Sequence, residues 1–180
     1  DGRLGCEFNH LQAWDSIAAN ATTEWCMVFE DDAEPIHDLK IQLDAALDEP
    51  PAPVVSLYLG RSRPTHWQRR IGNAMRFDRP FIVTTHLLHC VAVCIRTELV
   101  YELLTDARTA ITEANKPIDE ARTEAIQNRN LPVAYTNPSL VDHADSPSVA
   151  THRYEQPQIE PRIAWAVGGR ESWVGQFSSM

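Results

Sequence analysis

The sequence is short of several things, and each shortage narrows what the protein can be. It has no uninterrupted apolar run of the ~18 residues that a membrane-crossing helix requires. It has no Cys-x-x-Cys pair, so Cys6, Cys26, Cys90 and Cys94 lack the spacing of a structural zinc site. All four lie in or beside apolar runs, and buried reduced thiols are expected. Basic residues are scarce: 16 against 25 acidic ones, a net charge of −9. Charge-driven binding of bulk nucleic acid wants a basic face, so this balance argues against it. No repeat or low-complexity block interrupts the chain. No secretory signal is visible, so a cytoplasmic location is expected, and Asn20-Ala21-Thr22 reads as a chance glycosylation match.

What remains is an ordinary globular composition: 180 residues, 43% hydrophobic and 23% charged. A chain of this length buries about 70% of its unfolded surface and needs no staple to fold. Phe8, Leu11, Trp14, Ile17 and Ala18 fall at helical spacing, predicting a helix over roughly 8–20. Trp25–Phe29 is a short apolar run of strand type, ending abruptly in Glu30-Asp31-Asp32. Ile36, Leu39, Leu43, Ala46 and Leu47 mark a second helix, stopped by Pro50-Pro51. Strands are predicted at 54–59, 81–85, 90–95 and 131–135. Thr97 is the expected N-cap of one helix, and Pro117 opens another. Residues 61–80 are basic and irregular, carrying Arg61, Arg63, Arg69, Arg70, Arg76 and Arg79. Strands alternating with helices predict an α/β domain.

The acidic run carries the most chemistry. Ligands of α/β sheets bind outside the carboxyl ends of strands, where Glu30-Asp31-Asp32 falls. Three adjacent carboxylates repel one another and call for a cation. Two of them at i and i+2 can reach one hard divalent ion. An acidic turn capping the next helix is the ordinary alternative, and spacing leaves the two open.

Four segments together resemble glycosyltransferase family 25, whose members build lipopolysaccharide sugars and modify collagen. They are Gly5-Cys6-Glu7-Phe8-Asn9-His10 with its helix, Trp25–Asp32, His89–Arg96, and Pro117-Ile118-Asp119 followed by Asn137-Pro138-Ser139-Leu140-Val141-Asp142-His143 and Ser146. The likeness spans about residues 3–150. Asn9 and His143 stand where Ser and Gln are usual in the family, and the strand at 91–95 lacks the usual aromatic. The family's upstream strand–helix–strand unit has no counterpart here, so the chain is expected to lack the first part of its nucleotide-binding half.

The resemblance implies a single GT-A-like domain, a Rossmann-like mixed sheet flanked by helices, over residues 1–150. Residues 151–180 would form a polar, Pro-rich extension packing on or near it. It implies a metal-dependent transferase moving a sugar from a nucleoside-diphosphate donor to an acceptor hydroxyl with inversion. The acceptor would be a glycan, a protein or a modified nucleobase. Mn²⁺ or Mg²⁺ would be held by Glu30 and Asp32, spaced as in an Asp-x-Asp motif, with His143 as a third ligand. Asp119 would be the general base, with Glu120 its neighbour in reserve. Asp31, Arg61, Arg63 and His10 would contact the donor. For each of these residues an ordinary surface or structural role is the alternative. So, for the whole, are a non-catalytic nucleotide- or sugar-binding module and a metal-dependent phosphohydrolase or nuclease.

Overall fold

The computed structural model of the chain describes residues 2–144 and 161–180. Strands β1 (Trp25–Phe29), β3 (Val54–Ser56), β4 (Phe81–Thr84), β5 (Ala92–Arg96), β6 (Val133–Thr136) and β8 (Ser178–Ser179) form a mixed sheet. Its order is β1-β5-β3-β6-β4-β8. A separate two-stranded ribbon joins β2 (Ala33–Pro35) to β7 (Val141–His143). The helices are α1 (Gly2–Asn20), α2 (Leu39–Asp48), α3 (Gln68–Ala74), α4 (Thr97–Ala114) and α5 (Ile118–Asn128).

Alternation along the strands divides the interior into two cores, because successive side chains point to opposite faces. Val54, Val93, Ile95, Val133 and Tyr135 face Trp14 of α1, Val100 and Leu104 of α4, and Ala121 and Ile126 of α5. Their immediate neighbours Val55, Cys94 and Ala134 face Leu43 and Ala46 of α2 and Trp173 of the C-terminal segment. Helices on one face, and α2 with the C-terminal segment on the other, give a single compact α/β domain. Among the described residues no helix is long and apolar enough to cross a membrane. Cys26, Cys90 and Cys94 are buried thiols outside any disulfide, and the Cys6 side chain lies outside the described atoms.

Several boundaries move from their sequence-based positions. The first helix begins at Gly2, six residues earlier than the apolar spacing indicates. Thr97 is the first residue of α4 rather than its cap; Arg96 holds the cap position without a side-chain capping bond. The Arg96 guanidinium instead lies 4.4 Å over the Trp25 ring and pairs with Glu24. Helix α4 is closed by Asn115, just past its end, whose φ of 50° is the left-handed turn that asparagine tolerates there. The basic stretch is not wholly irregular: a 3₁₀ turn at Thr65–Trp67 leads into α3. Trp67, Ile71 and Ala74 are its buried anchors.

The final segment is bound to the rest at several points. β8 runs parallel to β4, pairing Ile82 with Ser178. Trp173 packs on Phe81 with ring centroids 5.6 Å apart. Trp173 Nε1 and the Arg170 amide both donate to Gln42 Oε1, at 2.8 and 2.9 Å. Asp142 Oδ1 accepts from the amides of His143 and Ala164, at 2.9 and 2.8 Å. Ser146 and the first part of the expected 151–180 extension lie outside the described residues.

Candidate functional site

β1 and β3 both run antiparallel to β5, and β6 runs parallel to β3. The carboxyl ends of β1, β3 and β6 therefore emerge at one edge of the sheet, where β5 begins. This arrangement brings Glu30–Asp32, Tyr58–Gly60, His89 and the chain leading to His143 to the same end. It is where ligands of such sheets bind.

The acidic turn is tied down by backbone. The Glu30 amide donates to Val91 O at 2.8 Å, and the Ala33 amide returns to Glu30 O at 3.2 Å. The ribbon then fixes the far side: Ala33 stands opposite His143, and the Ala144 amide donates to Asp32 O at 2.8 Å. β7 thus carries His143 directly against the turn.

Two histidine–carboxylate pairs result. His10, buried on α1, donates from Nε2 to Glu30 Oε1 at 3.1 Å. His143, equally buried, lies with Nε2 3.3 Å from Asp32 Oδ2. In both rings Nδ1 is buried without a hydrogen-bond partner, and so is Asp32 Oδ1. Asp31 between them is exposed. Burial pushes the Glu30 carboxyl upward. The hydrogen bond from His10 and the fields of His10, Arg122 and His143 outweigh it, so it stays below its ordinary value.

A third histidine stands behind the pairs. His89 Nε2 accepts from the Gly60 amide at 3.2 Å. The edge of its ring meets Tyr58 at 5.0 Å, and Tyr58 also faces His143 at 6.0 Å. Burial, reinforced by the charge of His143 and opposed by that of Glu30, lowers His89 to about 4, so it is neutral near pH 7. Neutrality is what lets Nε2 accept a hydrogen bond. A Cβ on Gly60 would fall 2.9 Å from the His89 ring and 3.0 Å from the Tyr58 hydroxyl, so glycine is required by close approach.

The remaining expected residues lie apart from these pairs or at their margin. Arg61 is exposed just beyond Gly60, its amide bonded to Ile163 O at 2.9 Å, and Arg63 follows two residues on. Asp119 and Glu120 are exposed in the first turn of α5. Trp14, one of the apolar residues spaced along the first helix, is buried in the core. Among the described residues no three His, Cys, Asp or Glu side chains gather as a ready-made metal cage. Glu30 faces His10, while Asp32 and His143 face each other.

Sequence reasoning passed over Tyr58, Gly60, His89 and Arg122. Only Gly60, closing a strand, and His89, opening one, left any trace in the pattern. Arg122, on α5, is buried with its guanidinium 4.9 Å above the Trp14 ring.

No protein-family model matches this chain, and no curated protein matches it in sequence.

Proposed function

We propose that this chain carries the catalytic site of a metal-dependent glycosyltransferase of GT-A type. It would move a sugar from a nucleoside-diphosphate donor to an acceptor hydroxyl, with inversion. The observation that carries the reading is the meeting of Asp32, at the carboxyl end of β1, with His143 of β7, at 3.3 Å. A buried carboxylate oxygen without a donor is costly unless a cation or proton arrives. Asp32 Oδ1 is such an oxygen. Asp32 and His143 suit a divalent cation as two protein ligands. Donor phosphates and water would complete the shell, as is usual for Mg²⁺ and similar ions. For Glu30 to join it, the bond from His10 would have to be given up or shared.

A bound cation would neutralise charge on the leaving diphosphate. The protein's own residues supply the rest. Arg61 and Arg63, just after Gly60, would pair with phosphate oxygens. Asp31, exposed on the turn, would face the donor's ribose. His10 holds Glu30, and so the turn, in place. Asp119, or its neighbour Glu120, would take the acceptor hydroxyl's proton as the new bond forms.

One geometric fact favours a second assignment within the same reaction. With Nε2 held by Asp32, His143 would act as a general base oriented by a carboxylate if Nδ1, buried and unpartnered here, were opened to the acceptor. Incubation with Mn²⁺ and a panel of nucleotide sugars tests the proposal, reading donor consumption and thermal stabilisation. Metal-dependent turnover lost in Asp32→Asn supports it. Turnover that persists in chelator but vanishes in His143→Asn transfers the proton-accepting role to His143. Stabilisation by a donor without any turnover would leave a binding module. No response to any donor, with or without metal, would overturn the reading.

A further inference from the structure

Arg122 is the most unusual charge in the molecule. It is 94% buried, with only 6% of its surface exposed, yet both terminal nitrogens lack a hydrogen-bond partner among the described residues. Among the described residues no carboxylate lies within ion-pair distance of it, whereas Arg96, Arg108, Arg129 and Arg170 all have one. Glu30 lies in its field, but Glu30 commits Oε1 to His10. The Trp14 ring below the guanidinium offers a favourable π face but accepts no conventional hydrogen bond.

Beside Arg122 lies a cavity of about 20 Å³. Trp14, Ile95, Leu103, Leu104, Ile118 and Ile126 line it, and Arg122 is the charged member of the lining. About 10–15 Å³ of this kind suffices for one water-sized particle. Phosphate, nucleotide or sugar would not fit. A water could accept a bond from Arg122 but could not offset its charge, and an unpaired buried charge costs several kcal/mol. We propose that this cavity is a site for a single monatomic anion of halide size, chloride in practice, held by the guanidinium nitrogens of Arg122. The proposal is independent of the glycosyltransferase reading.

Chloride titration at constant ionic strength, made up with gluconate, tests it. Gluconate is too large for the cavity, so ionic screening is matched while occupancy is not. Binding to the folded state alone should raise the melting temperature by about 3–8 °C near saturation. Arg122→Met should fold, since an apolar chain of similar length removes an unpaired buried charge. It should melt at the same temperature in both salts. A crystal soaked in bromide should show anomalous density against the Arg122 guanidinium, whatever the fate of the variant. Equal melting in chloride and gluconate, a chloride response surviving in Arg122→Met, or a bromide soak without density there would each overturn the site.

Discussion

His10 and His143 are alike in most respects. Both are 6% exposed, both place Nε2 near a carboxylate of the same turn, and both leave Nδ1 buried and unpartnered. They differ in what surrounds the carboxylate. Glu30 is held by His10, lies in the field of Arg122, and is anchored through its own amide to Val91, just before β5. Asp32 has one oxygen near His143 and another with nothing to accept from, on a turn that a ribbon closes from outside. In the first pair no carboxylate oxygen is left buried without a partner, and the pair binds α1 to the sheet end. The second is incomplete, and an incomplete buried polar pair is where a ligand gains most.

Experiments can break or sharpen this contrast. The largest effect belongs to Asp32→Asn, which keeps an acceptor for His143 and removes the charge. Turnover should fall by about 10²–10³-fold, with the melting temperature nearly unchanged; full turnover in steady-state assays would show the second pair to be structural like the first. His10→Ala should do the reverse. It strands the Glu30 carboxylate, so denaturant unfolding should report a loss of about 2–4 kcal/mol. Wild-type stability in that variant would end its role as a latch.

The pH dependence separates the third histidine from both. His89 is lowered to about 4 from 6.5, so the unfolded chain binds more protons than the folded one between those values. Stability should therefore fall as pH drops from 6.5 toward 4, by about 2–3 kcal/mol. His89→Gln, which still offers an oxygen to the Gly60 amide, should flatten that slope in urea titrations at stepped pH. Glu30 acts lower: its depressed value stabilises the fold above the ordinary 4.5 and is lost as pH falls through the folded value. The smallest effect is Gly60→Ala, which must push the His89 and Tyr58 rings aside. About 1–2 kcal/mol is expected, read by calorimetry.

How much of this the sequence disclosed follows from the range of the interactions. Local periodicity marked β1 and α4, because Trp25–Phe29 and Leu99–Ala107 bury residues at strand and helix spacing. It could not mark β2 and β7, three-residue strands reading Ala-Glu-Pro and Val-Asp-His, whose pairing is a tertiary event. Helix α3 was hidden by its shortness and by Arg69 and Arg70, which equal in number its buried Ile71 and Ala74. At the site, the acidic turn stood out because charge follows directly on an apolar strand. His143 was found only through a family likeness. The His10–Glu30 bond spans 20 residues and the Gly60–His89 bond 29, and nothing local announces either. A buried Arg122 is more hidden still, since arginine in a helix ordinarily predicts solvent.

The C-terminal segment has a consequence of another kind. A strand on β4, an indole on Phe81, two donors on one glutamine oxygen and a shared Asp142 carboxylate hold residues 161–180 by contacts alone. Peptide continuity with residue 144 adds proximity but none of those contacts. In the language of fragment complementation, the tail is a guest with a vacant seat waiting for it. A nick anywhere between 144 and 161 would turn one chain into a two-piece complex, and the sheet edge at β4 would then be covered only as well as that complex is populated.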